Sequence, residues 1–448
     1  MKDCKTIDQK WYMFTKKYTD LVDEYIPSKL LKQGHKSKSP WIKDPKLVKA
    51  RKARRTALIN GRKSGLYCDE QKYVEANDRY QREIIGSKIR YEQRLANNIK
   101  NDTRQFFNYA KNFTRPSSTV DSLEYNKRLY KDDREKAEIL NTFFSSVMVD
   151  EPDDVPYFKP ETQKNIECIT DIEFSQEDVF KLMLKVNGNK ACGPDGIHPV
   201  ILKEVPSLAQ PLHLLFRSSL DEGTLPSDWK SANICALHKK GSRKSPNNYR
   251  PVSLTSQVVK LFEKLVQRSV MKFCIDNGIL SCEQHGFRAK CSCLTNLLDC
   301  FNDWSTSFDD PSTGVDIIYT DFKKAFDTVP HTRLLHKLHS YGIRGKVLVW
   351  LRSFLTGRRQ RVILNGSSSK WTPVISGVPQ GTILGPLCFL LYINDLPNRI
   401  SSNIKLFADD CKVYRDIRCR SDCYNLQHDL NKLSAWSRDW LHEFSVEK

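Results

Sequence analysis

Two segments near the N-terminus have the hydrophobic spacing of amphipathic helices. Residues 41–60 place apolar side chains such as Leu47 on one face, and Gly61 predicts the end of this helix. Residues 70–111 predict a longer helix, because apolar residues recur at intervals of seven and four. That stripe consists of Tyr73, Tyr80, Ile84, Tyr91 and Leu95. Such a stripe is more typical of a packed core than of a surface that grips nucleic acid.

Further along the chain, helices and short strands alternate irregularly. Residues 175–178 resemble a capping box that opens a helix with Val179 and Leu182 facing inward. There is no internal repeat and no regular strand–helix–strand period, which predicts the α+β fold class. Residues 115–119 predict a linker, and the acidic, proline-rich residues 150–160 predict a second boundary.

A β-branched, apolar run at residues 315–321 predicts a buried strand that ends on Asp321. A helix is predicted to follow over residues 323–339. An Asp at the end of a strand is a well-placed metal ligand, since the strand fixes it and the following loop keeps it open. The alternative is the N-cap of the following helix, which Asp321 taken alone favours.

Residues 405–414 predict a β-hairpin with Asp409 and Asp410 at or beside its turn. Asp is common in turns, but adjacent carboxylates on a tight turn repel each other unless a cation neutralises them. With Asp321 from a neighbouring strand, they could hold a pair of Mg²⁺ ions for phosphoryl transfer.

A second hairpin and a glycine-containing loop lie between these acids. The Asn-Gly turn at residues 365–366 predicts a hairpin between residues 359 and 375. The loop over residues 376–381 follows and leads into an apolar helix over residues 383–393. Its two glycines allow the backbone to approach a ligand closely, and Gln380 offers both donors and acceptors.

Lysine and arginine are concentrated near the N-terminus. The chain has 72 Lys and Arg against 53 Asp and Glu, a net charge of +19, and residues 1–115 carry +15 of it. Residues 29–63 contain thirteen basic side chains and a single acid, Asp44. This excess is more than solubility requires and predicts binding to nucleic acid, with a membrane surface as the weaker alternative. The predicted nucleic-acid-binding residues are Lys43, Lys46, Lys49, Arg51, Lys52, Arg54, Arg55, Arg62 and Lys63.

The composition also limits the class and compartment of the protein. A hydrophobic content of 39% excludes a wholly disordered chain. No apolar run reaches the roughly 20 residues of a membrane-spanning helix, and no apolar stretch of a secretory signal follows the N-terminus. Fourteen cysteines in a chain of this length indicate reduced thiols. We therefore expect an intracellular protein, in the nucleus, the cytoplasm or both, with no membrane partner.

Seven short strings follow one another along the chain. Residues 319–327 resemble motif A of a polymerase family, residues 376–381 resemble motif B, and Phe-Ala-Asp-Asp at residues 407–410 resembles motif C. The other strings lie at residues 193–197, 248–254, 284–288 with 294–296, and 440–444. In this order, over about residues 165–448, the sequence resembles the reverse transcriptases of non-LTR (LINE-type) retrotransposons. Residues 1–115 are similar, less specifically, to the basic region that precedes the polymerase in such elements.

The resemblance implies a right-hand polymerase with fingers and palm over residues 165–448. It implies a basic, mostly helical extension over residues 1–116 that binds RNA, and a linker with a lead-in helix over residues 117–164. The partners implied are an RNA template, a DNA primer and deoxynucleoside triphosphates. Because the last string resembles the start of motif D, we expect no thumb. The endonuclease and thumb are then expected to belong to the full-length element.

The resemblance also implies the roles of individual residues. Asp321, Asp409 and Asp410 would bind two Mg²⁺ ions, for which Mn²⁺ is a substitute, and the backbone carbonyl of Phe322 would complete a site. Phe326 would be the steric gate that excludes a ribose 2′-hydroxyl, the alternative being a core residue of the following helix. Nucleotide-binding roles are implied for Gln380, Gly381, Arg250, Lys239 and Lys240, a general-acid role for Lys448, and a structural capping role for Asp327.

Three functional hypotheses follow. The first is an RNA-directed DNA polymerase, and the second is a catalytically silent remnant of a retroelement that only binds RNA. A polymerase of the group II intron or retron type is a third hypothesis. It agrees less well with the strings around Gln284 and Asp409.

Overall fold

The computed structural model describes residues 5–27, 39–114, 120–160 and 167–445. The chain forms two compact units: a small unit, Ile26–Thr119, and a large unit, Met1–Tyr25 with Val120–Lys448. The described α-helices are α1 (Ile7–Tyr25), α2 (Pro45–Ser64), α3 (Tyr67–Asn97), α4 (Thr103–Thr114), α5 (Asp133–Ser146), α6 (Gln176–Leu184), α7 (Pro199–Glu204), α8 (Ala209–Glu222), α9 (Gln257–Asp276), α10 (Cys293–Phe308), α11 (His331–Ser340), α12 (Gly345–Leu355), α13 (Leu384–Ile393) and α14 (Arg420–Asp439). The described strands are β1 (Leu123–Tyr125), β2 (Arg128–Tyr130), β3 (Ser231–His238), β4 (Tyr249–Leu254), β5 (Gly314–Asp321), β6 (Arg358–Leu364), β7 (Ser367–Ser368), β8 (Thr372–Val374), β9 (Asn403–Phe407) and β10 (Asp410–Ile417).

The small unit is built from α2, α3 and α4. The helix that was predicted to end at Gly61 continues to Ser64, because it is Gly65 that adopts the left-handed conformation, with φ of 64°. The predicted helix over residues 70–111 is two helices. A new one starts after Asp102, whose carboxylate accepts a hydrogen bond from the Gln105 N–H (3.1 Å). The aromatic stripe is partly or fully buried, as a core interpretation requires.

The large unit contains three sheets. β1 and β2 form a hairpin, and β5, β10 and β9 form an antiparallel sheet in that order. The largest sheet has the order β4-β3-β6-β7, with β8 also paired to β6, and only the β3–β6 pair is parallel. Helix α5 packs on this five-stranded sheet through Leu140 and Phe144. The mixture of helices with largely antiparallel sheets agrees with the predicted fold class.

Several predicted local elements are confirmed. The Ser175 hydroxyl accepts a hydrogen bond from the Asp178 N–H, and the Asp178 carboxylate accepts one from the Ser175 N–H, which makes a complete capping box. The hairpin around Asp409 and the hairpin around the Asn-Gly turn are both present. These elements were predictable because their signals are local.

Two predictions around residue 321 were wrong. β5 is not buried, since it is the edge of its sheet and most of its side chains are partly exposed. The helix predicted over residues 323–339 begins only at His331, after a series of turns. Lys324 has a positive φ of 51°, which a helix cannot contain. The start of α11 at His331 agrees with the position of Pro330, because proline is tolerated only at the very start of a helix.

Helix α13 is the centre of the main core. Nine of its ten residues are buried, as its uniformly apolar sequence requires. Its N-terminus is capped by Glu263 on α9, whose Oε2 accepts hydrogen bonds from the N–H groups of Ile383 (2.7 Å) and Leu384 (3.1 Å). Burial raises the pKa of Glu263. None of the described helices combines the length and apolarity that a membrane span needs.

A buried ion pair joins α11 to the end of α13. The Lys337 ammonium group donates to Asp395 and to the Tyr392 carbonyl (2.7 Å), and it lies 3.7 Å from the centre of the Trp440 ring. Burial lowers the pKa of Lys337 to about 8. Burial alone raises the pKa of Asp395, but Lys337 brings it below its usual value. The Trp436 indole N–H also donates to Asp395 (3.0 Å).

We expect this pair to be strongly coupled. Asp395→Asn and Lys337→Met should each lower the free energy of unfolding by about 3–5 kcal/mol, because each leaves one buried charge without its partner. The double variant should lose clearly less than the sum of the two single losses. Urea denaturation followed by tryptophan fluorescence measures all three. Additive losses would contradict the coupling.

Candidate active site

The three acids singled out in the sequence lie at one end of the three-stranded sheet. β5 ends on Asp321, β10 begins on Asp410, and the antiparallel register makes these two residues direct cross-strand partners. Directly opposed Cα atoms in such a ladder are about 4.5–5.5 Å apart, and their side chains lie on the same face. Asp409 immediately precedes Asp410. The backbone therefore gathers three carboxylates at one hairpin end.

The turn between β9 and β10 consists of two residues, Ala408 and Asp409, between the paired residues Phe407 and Asp410. Ala408 has a φ of 56°. Two-residue hairpin turns need a positive φ, which costs a residue with a Cβ about 1–2 kcal/mol. The turn that carries Asp409 therefore depends on contacts that hold Ala408 in place.

Gln284 supplies these contacts from a distant part of the chain. Its buried carboxamide oxygen accepts hydrogen bonds from the N–H groups of Ala408 (2.9 Å) and Gly286 (2.7 Å). Its Nε2 donates to the Ala408 carbonyl at 3.5 Å. A Cβ on Gly286 would lie 2.3 Å from the Ala408 nitrogen, so this close approach requires glycine. Residues 284–288 carry part of the resemblance, but no pattern in the sequence indicates that Gln284 holds this turn.

Phe322 follows Asp321 and anchors the end of β5. Its ring packs on the rings of Phe444 (4.5 Å) and His442 (4.4 Å), and its backbone forms a bridge with Phe444. The Asp321 carbonyl accepts a hydrogen bond from the Ser445 N–H (2.6 Å). Burial lowers the pKa of His442 to about 3, so this ring is neutral. The string at residues 440–444 therefore packs directly against the strand that carries Asp321.

Phe326 lies in the turns after β5, not in a helix. Its ring stacks on Phe389 of α13, with 4.7 Å between ring centres, and meets the Phe287 ring edge-on at 6.2 Å. It is only partly buried, and it lines a small cleft. Gln380 and Asp327 line the same cleft. The ring is thus fixed by the core on one side and open to the cleft on the other.

The loop over residues 376–381 passes within contact distance of Phe326. Gly377 has a φ of 88°, and a Cβ there would lie 2.8 Å from the Phe326 carbonyl oxygen. The Val378 N–H donates to that same carbonyl at 2.7 Å. At the other end of the loop, Gly381 has a φ of 103°, and a Cβ would lie 2.8 Å from the Ser253 carbonyl oxygen. Both glycines are required by close backbone contacts, which join the two sheets here.

Asp327 is not the cap of a helix, contrary to its predicted role, because α11 starts only at His331. Its carboxylate accepts a hydrogen bond from Gln380 Nε2 (3.2 Å), and its backbone carbonyl accepts one from the Ser376 hydroxyl (2.9 Å). Burial raises the pKa of Asp327 to about 6. Asp327 therefore orients the side chain of Gln380 in the cleft.

A group of cations lies beside this cleft. Burial lowers the pKa of Lys324, and the nearby charges of Lys239 and Arg250 lower it further, while Asp327 opposes them. Lys239 and Arg250 are exposed at the β3–β4 hairpin. The structure thus brings these two predicted residues together and adds Lys324, for which the sequence analysis predicted no role. Lys240 is exposed in the same hairpin, and no contact in the described part of the chain ties it to this group.

The predicted nucleic-acid-binding residues lie on the small unit. Eight of the nine are exposed, from Lys43 before α2 to Lys63 in its last turn. The ninth, Arg54, is partly buried, with its guanidinium group 4.9 Å from the centre of the Tyr80 ring. The basic face of α2 is therefore open to solvent and is held in place by α3.

Lys448, the predicted general acid, lies outside the described residues. Within the described ranges, no group of three or more His, Cys, Asp or Glu side chains has a preformed metal-binding arrangement. The described cysteines, including Cys291, Cys293, Cys419 and Cys423, are free thiols.

Comparison with known proteins agrees with the motifs. The family model for reverse transcriptase (RNA-dependent DNA polymerase) matches residues 237–448. A probable RNA-directed DNA polymerase from the transposon X-element of Drosophila melanogaster is 32% identical over 276 residues, which are 60% of this chain and 30% of that relative. The RNA-directed DNA polymerase from the mobile element jockey of the same species is 30% identical over 292 residues, 61% of this chain and 31% of the relative.

A Pol polyprotein from the type-2 retrotransposable element R2DM of Drosophila melanogaster is 24% identical over 309 residues, 62% of this chain and 28% of the relative. The chain thus spans about 30% of the length of the curated relatives it matches. The matched region contains Asp321, Asp409 and Asp410 together with the loop over residues 376–381. On this evidence residues 237–448 match the reverse transcriptase family model, and the chain is similar to RNA-directed DNA polymerases from mobile elements.

Proposed function

We propose that this chain is an RNA-directed DNA polymerase that extends a DNA primer on an RNA template with deoxynucleoside triphosphates. The observation that carries the proposal is the register that makes Asp321 and Asp410 cross-strand partners, with Asp409 in the adjoining turn. In this proposal the three-stranded sheet is the palm and the five-stranded sheet belongs to the fingers.

The donor set suits Mg²⁺, which prefers oxygen ligands such as carboxylates and carbonyls. Asp321, Asp409 and Asp410 would hold two ions, with Mn²⁺ as a substitute, and the Phe322 carbonyl would be a further ligand. When bound, the metal would supply the charge that activates a primer 3′-hydroxyl and stabilises the departing pyrophosphate. The Gln284 carboxamide would keep the turn that carries Asp409 in its position.

The cleft that Phe326 and Gln380 line would receive the incoming nucleotide. Phe326, fixed by its stack on Phe389, would fill the space that a ribose 2′-hydroxyl needs. Gln380, oriented by Asp327, and Gly381 would line the pocket. Arg250, with Lys239 or Lys240, would hold the triphosphate or template phosphates, since guanidinium and ammonium groups suit these anions. Lys324 shares their electrostatic environment and would add to this binding.

The small unit would bind RNA through the exposed basic face of α2. Its cations are carried on a helix fixed by α3, and Asp44, the single acid among residues 29–63, is already paired with Arg90. A protein that only binds RNA is the second candidate function, and the basic face is the observation that favours it. The two candidates differ in whether the three acids at the hairpin end catalyse nucleotide addition.

Asp409→Ala should abolish Mg²⁺-dependent primer extension on an RNA template. Loss of one metal ligand removes several kcal/mol of transition-state stabilisation, so we expect a decrease of about a thousandfold or more in the rate of incorporation. The assay follows extension of a labelled DNA primer, and addition of a chelator should stop the wild-type reaction as well.

Asp416→Ala is the matched control, because it removes a carboxylate from the opposite end of the same strand, β10. It should keep most of the activity. Primer extension that persists in Asp409→Ala would contradict the assignment of the acids as metal ligands. A wild-type protein that binds RNA but extends no primer would favour the second candidate.

Phe326→Val should relax the preference for deoxynucleotides. Opening the space beside C2′ should raise incorporation of ribonucleotides relative to deoxynucleotides by about 10- to 100-fold. This is the range of substrate discrimination that a single steric contact in a pocket provides. Single-nucleotide incorporation with each substrate gives the ratio. Phe301→Val, which shortens an exposed aromatic side chain on α10, should leave the ratio unchanged. An unchanged ratio in Phe326→Val as well would exclude the gate.

Replacing three exposed cations of α2 should weaken RNA binding and its salt dependence. In the triple variant Lys46→Gln, Lys49→Gln and Arg55→Gln, the slope of log affinity against log salt should fall by about 2, since each lost phosphate contact with a single strand removes about 0.7. Fluorescence anisotropy with a labelled single-stranded RNA measures this slope. The control variant removes three exposed lysines of the large unit, Lys181, Lys185 and Lys203. Equal effects of both variants would contradict a specific role for α2.

A further inference from the structure

Strand β6 carries a pair of arginines that are fixed in place on its exposed side. Arg359 and Arg361 are two residues apart, so their side chains share a face of the strand. The Arg359 Nε–H donates to the Ser231 hydroxyl, and the Arg361 Nε–H donates to Asn233 Oδ1, both at 2.9 Å. Ser231 and Asn233 are their direct partners on β3, so the sheet register itself orients both arginines.

The indole ring of Trp371 completes this arrangement. The guanidinium carbon of Arg359 lies 4.8 Å from the centre of the ring, and that of Arg361 lies 4.5 Å from it. Cation–π contacts of this kind restrict the side chains and lower the entropy that binding a further partner must overcome. We call Arg359, Arg361 and Trp371 the arginine–tryptophan group.

The two positive charges are not compensated by acids. In the described part of the chain, the guanidinium groups contact the hydroxyl, the amide and the indole named above, and no carboxylate forms an ion pair with either. Each Nε–H uses one of the five N–H donors of a guanidinium group, which leaves the planar fork on the terminal nitrogens for a ligand. Two such forks on neighbouring positions suit successive phosphates of a nucleic-acid strand.

The same strand also lines the cleft beside Phe326 and Gln380. Arg358, Arg359 and Gln360 are consecutive residues of its lining. Arg358 is 4% exposed and Gln360 is 7% exposed, and neither Arg358 Nη2 nor Gln360 Nε2 has a hydrogen-bond partner in the described structure. Because successive side chains of a strand point to opposite faces, Arg358 and Gln360 lie on the face opposite to Arg359 and Arg361, and their unpaired donors belong to the buried side of β6.

We propose that the arginine–tryptophan group binds the sugar–phosphate backbone of the unpaired template strand as it approaches the cleft. Arg359 belongs both to this exposed, uncompensated pair of cations and to the lining of the cleft, so a strand held by the pair lies next to the cleft. The proposal rests on the proposed function, because it takes the cleft to be the nucleotide site. A partner protein with an acidic surface is a different occupant, and the test below separates the two.

The test is equilibrium binding of two primer–templates that differ only in the template overhang. One has a single-stranded RNA overhang of about ten nucleotides at the template 5′ end, and the other is blunt at that end. Arg359→Gln with Arg361→Gln should weaken binding of the overhang substrate about tenfold and lower its salt slope by about 1.4, with little effect on the blunt substrate. Arg344→Gln with Arg352→Gln, which removes two exposed arginines at α12, is the matched control. Arg359→Lys with Arg361→Lys should restore part of the affinity, because charge is kept and the fork is lost.

Crosslinking of the wild-type protein makes the test independent of how the variants fold. A template overhang that contains 4-thiouridine should form crosslinks to the peptide that contains Trp371. Crosslinks found only elsewhere, or equal losses for both substrates in the double variant, would overturn the proposal. No loss for either substrate would also overturn it and would leave an acidic protein as the remaining occupant. Because these measurements need no nucleotide addition, they can fail while the Asp409→Ala result still supports the polymerase, and the reverse also holds.

Discussion

The antiparallel register between β5 and β10 is the constraint on which the rest of the site depends. A shift of one residue would move Asp321 to the opposite face from Asp410 and would separate the carboxylates. The register itself comes from eight paired positions, but the turn that carries Asp409 needs a second constraint. The Gln284 carboxamide supplies it by hydrogen-bonding both backbone groups of Ala408. A side chain more than a hundred residues away thus fixes a local conformation that alanine does not favour by itself.

Close backbone contact is the second organising feature. The loop over residues 376–381 lies between the turns after β5 and the end of β4, and glycine is required at both of its contacts. Because this loop joins the two sheets, the positions of Gln380 and Phe326 are coupled to each other and to Asp327. Backbone packing therefore sets the shape of the cleft. Hydrogen bonds such as that from Gln380 to Asp327 then fix the orientation of its polar side chains.

Sequence reasoning succeeded where the signal was local. The hairpin that carries Asp409 and the capping box at Ser175 follow from neighbouring residues alone. The helix after Asp321 was placed wrongly, because apolar periodicity continued through residues that the fold holds in turns, with Lys324 at positive φ. The contacts of Gln284 and the arginine–tryptophan group could not be predicted. They depend on strand pairing and long-range packing, which a single sequence does not contain. The aspartates were recognised from their spacing and resemblance, but only the register shows that two of them are opposed.

The central claim is that Asp321, Asp409 and Asp410 form one metal centre. Metal-directed cleavage tests it most directly: Fe²⁺ replaces Mg²⁺ in oxygen-ligand sites, and with added hydrogen peroxide and ascorbate it generates hydroxyl radicals that cut the nearby polypeptide. We predict cuts at two places, next to residue 321 and next to residues 409–410, that disappear together when excess Mg²⁺ is added. Cuts at only one of these places, or cuts elsewhere that Mg²⁺ does not suppress, would contradict a shared centre.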